Sequence, residues 1–164
     1  MNHIFSPWRM NYIESDKKLD GCVFCKAIAE KDGPENLIVS RGKLSFVILN
    51  RYPYTSGHVM VLPYKHVPTL TALDKATRIE MMEFVSQSTE ILQNIYKPQG
   101  YNIGANIGEA AGAGIEEHIH LHVVPRWTGD TNFMSSLGET RVLPETMEES
   151  FKRIITAWQA HTNN

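Results

Sequence analysis

Cysteine is scarce in this chain: there are two in 164 residues, both in one Cys22-x-x-Cys25. A secreted disulfide framework needs several spaced pairs, so that class is excluded. Long apolar runs are missing too, which argues against a membrane span. The first ten residues, MNHIFSPWRM, lack the apolar stretch of a secretion signal. Charge of one sign is also lacking. The formal net charge is −2, so no global basic field draws the chain to nucleic acid. An anionic ligand would have to be held locally, by histidines, backbone N–H groups or a helix N-terminus. No internal repeat or low-complexity segment is present. Together these absences predict a cytosolic protein with neither membrane nor nucleic-acid partners.

What is present is ordinary in bulk and unusual at one place. Apolar residues make up 42% and charged residues 21%, the composition of a globular domain. The length predicts a single domain over 1–164 with room for a core. Residues 1–20 read as an N-terminal extension whose aromatics pack on something, and 144–161 as a C-terminal helix. The unusual place is His118-Ile-His120-Leu-His122-Val-Val124. In an extended strand, alternate side chains share a face. The three imidazoles would then line one side, while Ile119, Leu121 and Val123 anchor the other in the core. Three satisfied polar groups, a zinc site and a catalytic row are all compatible with that pattern.

The rest of the chain supplies a frame. Cys22–Glu30 reads as a short helix or turn. Strands are expected at 36–40, 43–49, 58–62, 101–107 and 118–125. A helix is expected from about Thr71 to Tyr96, with Leu73, Ala76, Ile79, Met82, Val85, Thr89, Leu92 and Ile95 as its apolar stripe. The C-terminal helix carries Phe151, Ile154, Ile155 and Trp158 on one side. About five strands and two main helices, without regular alternation, predict an α+β fold with a mostly antiparallel sheet. Immediately before the histidine row, Gly108–Gly114 holds three glycines and three alanines, a loop that lets a ligand approach the backbone. Cys22 and Cys25 could be a redox pair, half of a zinc site, or two buried thiols.

The histidine row resembles the signature of the histidine triad (HIT) superfamily of nucleotide hydrolases and transferases. So, in order, do Cys22-x-x-Cys25, Leu49-Asn50, Gly57-His58-x-x-Val-x-Pro63-x-x-His66, Asn106-x-Gly108-x-x-Ala111-Gly112, and Pro125-Arg126. Tyr52-Pro-Tyr-x-x-Gly-His58, the tail beginning His122-Val-Val-Pro-Arg-Trp, and Pro7-x-Arg9 are similar to the bacterial diadenosine tetraphosphate phosphorylase-like branch. The chain departs from the common pattern at Ala113-Gly114, where a side-chain hydroxyl is missing, and at Asn50, where many relatives carry Asp.

The resemblance implies a HIT-like fold, with a sheet continued across a homodimer. It implies a nucleotidyl-histidine mechanism on dinucleoside polyphosphates, with phosphate or water as acceptor. Phosphoramidate hydrolysis, or nucleotide sensing with little turnover, are its alternatives. It makes His120 the nucleophile, His122 a phosphate partner, and His118 the third catalytic member. Leu49, Asn50 and Asn106 would contact the nucleotide, as would Gly112, Ala113 and Gly114 through backbone N–H groups. It also implies a structural zinc on Cys22, Cys25, His66 and His118. His58 is a candidate support for the triad, and Arg126 or Trp127 a candidate contact for the far half of a long substrate.

Overall fold

A computed structural model describes residues 21–130 and 144–162. The expected N-terminal extension and part of the irregular segment after Trp127 lie outside the described residues. Five strands form one antiparallel sheet in the order β1-β2-β3-β5-β4: β1 Ile38–Arg41, β2 Ser45–Leu49, β3 Val59–Pro63, β4 Gly100–Gly104 and β5 Leu121–Arg126. Among the described residues, three α-helices accompany it: α1 Val23–Ala29, α2 Lys75–Tyr96 and α3 Met147–Thr162. The expected α+β class is therefore observed. α2 crosses the sheet against β2, β3 and β5, and α3 packs between α2 and β1.

Strand register sets what faces what. Ile48, Met60 and His122 are cross-strand partners on β2, β3 and β5. They form one rung, so their side chains share a face. The neighbouring rung, Leu49, Val59 and Val123, is buried on the opposite face. β5 lies inside the sheet although β4 precedes it in the chain. The histidine segment thereby gains strands on both sides.

The ladder of β5 starts at Leu121, three residues later than the predicted start at His118. Proline is the physical reason. Pro63 ends β3 and has no N–H to offer a ladder. Pairing between β3 and β5 accordingly stops at Val61 and Leu121. The carbonyl of Pro63 instead accepts the His118 Nε2–H at 2.9 Å, and Ile119 N–H donates to Val67 O at 2.7 Å. His118 and His120 thus leave the ladder while Ile119 stays in the core.

The predicted stripe of α2 is corrected in its first half. Ile79 and Met82 are 59% and 56% exposed, and Ala76 is exposed, whereas Thr77, Met81, Phe84 and Ser88 are buried. Leu73 precedes the helix, which starts after the Asp74 cap, so counting from Leu73 gave the wrong phase. Two hydroxyls sit in buried positions because each is bonded. Thr77 Oγ1 donates to Asp74 Oδ2 at 2.9 Å, and Ser88 Oγ to Phe84 O at 2.6 Å. Met82 is therefore surface, while Met60 and Met81 are buried in the core. In α3, Phe151, Ile154 and Trp158 are buried, and Thr146 and Glu149 form a reciprocal capping box.

The β1–β2 turn is fastened to α2 by one carboxylate. Glu80 Oε1 accepts Leu44 N–H, Ser45 N–H and Ser45 Oγ–H, each at 2.8 Å. Glu80 reaches this turn because Gly42 lacks a Cβ; an added Cβ would lie 2.5 Å from Glu80 Oε1. Burial works to raise the Glu80 pKa, but the hydrogen bonds from Leu44 and Ser45 outweigh it and hold the carboxyl below its ordinary value. The unfolded state therefore binds this proton more readily. Its stabilisation is complete above the unperturbed glutamate pKa of about 4.3 and fades as pH falls through the lower folded value. Glu80→Ala should cost about 1–3 kcal/mol in urea unfolding at neutral pH, and that difference should shrink in acid.

Candidate active site

α1 separates two groups of side chains. Cys22 caps it and Cys25 sits in its first turn, both half-buried. Their sulfurs meet His66, in the loop after β3, and His118. Cys22 Sγ lies 3.5 Å from His118 Nδ1, Cys25 Sγ 3.7 Å from the same atom, and Cys25 Sγ 3.3 Å from His66 Nδ1. All four ligand atoms fall within 4.8 Å of one another.

Metal–sulfur and metal–nitrogen bonds of about 2.0–2.3 Å place tetrahedral ligands about 3.3–3.8 Å apart. The three measured distances match such edges. His118 is also oriented for the role, since its Nε2–H is bound by Pro63 O, leaving the Nδ1 lone pair toward the sulfurs. Burial, then the adjacent Cys22 thiol, push the Cys25 thiol up from its usual pKa, a cost that a bound cation would reverse. The cluster fits a metal by donor set and by distance.

On the other side of α1 lies a cavity of about 400 Å³. Its floor is the Ile48, Met60 and His122 rung, and Phe24 and Ala27 of α1 form a wall. Of the candidate site residues, Leu49, Asn50, Asn106, Gly114, His120 and His122 line it. Gly112 and Ala113 do not appear in the lining. Their N–H groups donate within the loop itself, to Glu109 O at 2.8 Å and Gly108 O at 3.3 Å. The glycines there shape the turn, with Gly108 and Gly112 at φ +80° and +76°.

The histidines form a chain of fixed tautomers. His120 Nδ1–H donates to the His118 carbonyl at 2.9 Å, which leaves a lone pair on Nε2. Burial lowers the His120 pKa despite that bond, so the ring is neutral at neutral pH. Burial likewise lowers that of His118, with the neighbouring His66 and His120 adding to it. Tyr54 N–H donates to His58 Nδ1 at 3.1 Å, so His58 carries its proton on Nε2. That proton goes to His122 Nδ1 at 2.9 Å, and His122 is left protonated at Nε2. The His120 and His122 rings are 4.8 Å apart, edge to face. An imidazole lone pair thus stands beside an imidazole N–H. His58 is fully buried and its ring touches that of His122.

Three further placements bear on the expectations. Asn50 Oδ1 accepts Tyr52 N–H at 3.0 Å, and Asn50 Nδ2 lies 3.3 Å from His58 Nδ1, so its amide is braced where it lines the cavity. Arg126 lies apart from the cavity lining. Its Nε–H donates to Asp130 Oδ2 at 2.6 Å and its Nη2–H to Oδ1 at 2.7 Å, while Trp127 N–H donates to the same carboxylate. Arg126 and Trp127 therefore secure the end of β5. Asn36 was missed: it is buried, lines the cavity, accepts Gly33 and Ile38 N–H, and donates to Ala27 O and Asp32. Its position between Pro34 and a strand is the turn chemistry that would have drawn notice.

The HIT domain model matches residues 31–129. The chain belongs to the HIT family. The match includes His66 and all three triad histidines but begins after the two cysteines. An AP-4-A phosphorylase of Mycobacterium tuberculosis is 36% identical over 96% of this chain and 85% of its own length. The asymmetrical bis(5'-nucleosyl)-tetraphosphatase of Schizosaccharomyces pombe is 31% identical over 55% of this chain and 49% of its own. Among solved structures, a Zn-bound histidine triad family protein from Mycobacterium smegmatis superposes with a TM-score of 0.69. It is 27% identical, covering 88% of this chain and 98% of that one.

These hydrogen bonds predict a readable proton pattern. Nitrogen NMR should find His58 and His122 protonated on Nε2 and His120 on Nδ1 near neutral pH. His58→Phe should abolish the preference at His122 and leave that at His120.

Proposed function

We propose that this HIT enzyme cleaves dinucleoside polyphosphates, with diadenosine tetraphosphate as its substrate, through a nucleotidyl-His120 intermediate. The observation that carries the reading is the neutral His120 ring, tied at Nδ1 to the His118 carbonyl and facing the cavity beside the Nε2–H of His122, whose Nδ1 accepts from His58. The Nε2 lone pair of His120 attacks the α-phosphorus. A P–N bond forms, and the P–O bond to the leaving polyphosphate breaks. His122 Nε2–H donates to a phosphoryl oxygen, where negative charge gathers. The acceptor then displaces His120.

Inorganic phosphate is the acceptor we favour, because the similarity to the AP-4-A phosphorylase runs along almost the whole chain. The products are then ATP and ADP. Phe24, Ala27, Ile48 and Leu49 make an apolar slot for the base, with Asn50 at the ribose and Gly114 and Asn106 near the phosphates. Lys26 and Arg51 supply positive charge on the lining.

Cys22, Cys25, His66 and His118 hold zinc, which fixes α1 and the His118 backbone and leaves the chemistry to His120. The edge strand β4 pairs with a second copy to continue the sheet, a reading supported by exposed Ile103 on that strand and Ile107 just after it. We place the protein in the cytoplasm as one domain over 1–164. Among the described residues, no helix is long and apolar enough to cross a membrane.

Turnover and metal content both test the reading. Incubation with diadenosine tetraphosphate, followed by nucleotide chromatography, should give ATP and ADP with phosphate present. His120→Ala should bind AMP yet release no product, and normal turnover by that variant would rule the covalent step out. Elemental analysis should find about one zinc per chain. Its removal should lower the thermal midpoint, and an unchanged midpoint would argue against the structural role.

A further inference from the structure

The metal cluster and the nucleotide cavity share one wall, the seven-residue helix α1. Isolated helices shorter than about 12 residues are marginal in water, so its tethers decide whether it holds its place. At its start the tethers are the sulfurs of Cys22 and Cys25 facing His66 and His118. At its end they are Asn36 Nδ2–H to Ala27 O and Arg41 Nη2–H to Ile28 O, both at 3.1 Å. Between them, Phe24 is buried against both His118 and His120, with ring centroids 5.6 and 5.2 Å apart. Val23, Phe24, Lys26, Ala27 and Glu30 line the cavity. A change at the sulfurs therefore reaches the pocket through a single element.

The two sulfurs can also react with each other. They are free thiols, half-buried, and close together. A Cys-x-x-Cys pair at the start of a helix is the arrangement that closes into a disulfide in thiol oxidoreductases. We infer that Cys22 and Cys25 are a reversible oxidation site, and that their disulfide releases the metal and slackens nucleotide binding. The inference rests on the zinc reading given above.

The oxidant is a peroxide. One thiolate attacks a peroxide oxygen; an S–O bond forms, the O–O bond breaks, and hydroxide leaves. The second thiolate attacks the resulting sulfenic sulfur; the S–S bond forms, the S–O bond breaks, and a second hydroxide leaves. Two electrons pass from the sulfurs to the peroxide, and its two oxygens depart as two hydroxides that take up two protons and become two waters. The disulfide leaves only His66 and His118 as ligands, too few to retain the ion. α1 then loses its N-terminal tether, and the Val23, Phe24 and Ala27 wall relaxes.

Coupling between two sites is reciprocal and commonly amounts to about 5- to 150-fold. The test uses the reduced, zinc-loaded protein and hydrogen peroxide. A chromophoric chelator follows zinc, mass spectrometry follows the loss of two hydrogens per chain, and calorimetry gives the AMP Kd. The disulfide should form with zinc release and weaken AMP binding by about 5- to 150-fold, with dithiothreitol and zinc restoring it. Saturating AMP should slow zinc release, a readout independent of turnover. In a Cys22→Ser, Cys25→Ser variant, peroxide should leave AMP affinity as it was. A disulfide that forms without changing the AMP Kd overturns the inference, as does oxidation to sulfinic acids with no disulfide. If the reduced protein contains no zinc, the metal reading fails by itself, and the effect of the disulfide on AMP affinity still decides the coupling.

Discussion

His118 is held at three points, and each constraint serves a different part of the molecule. Its Nε2–H is bound by the Pro63 carbonyl at the end of β3. Its Nδ1 faces the two cysteine sulfurs carried by α1. Its own carbonyl accepts the proton of His120 Nδ1. One residue thus ties the sheet to the metal cluster and sets the tautomer of the neighbouring ring. Complete burial is tolerable because the ring nitrogens and the carbonyl all face polar partners.

The second device is a row of proton assignments made by the backbone. Histidine is useful near neutrality because its two nitrogens differ, and a neighbour must choose between them. Here main-chain groups make the choice at both ends: the His118 carbonyl for His120, and the Tyr54 amide for His58 and through it His122. These amides and carbonyls do not titrate, so the pattern is preorganised before any ligand arrives. Burial supplies the remaining condition by disfavouring the charged form of His120.

Much of this was legible in the residues because it depended on short-range periodicity. Alternation at 118–124 put Ile119, Leu121 and Val123 in the core, where they are buried, but it holds as a strand only from Leu121, and His118, also buried, turns to the sulfurs while His120 and His122 line the cavity. The strands were placed to within a few residues, since β-rich runs were bounded by Gly, Pro and Asn. Arg126 illustrates the limit. Its place after the triad made it a candidate substrate contact; the structure adds a partner four residues on, Asp130, that no motif pointed to. Periodicity also misphased α2, because a bonded threonine or serine can occupy a buried position that hydrophobicity alone assigns elsewhere.

The sequence by itself determined the element types, the inward face of the histidine strand, and the residue types able to carry this chemistry. Those follow from backbone geometry and side-chain chemistry, which act over a few residues. Only the tertiary structure decided that Cys22 and Cys25 meet His118 across more than ninety positions, that Pro63 ends the ladder where the triad begins, and that α1 stands between metal cluster and cavity. Contacts of that range arise from sheet order, with β5 inserted beside β3, and no local pattern encodes the insertion.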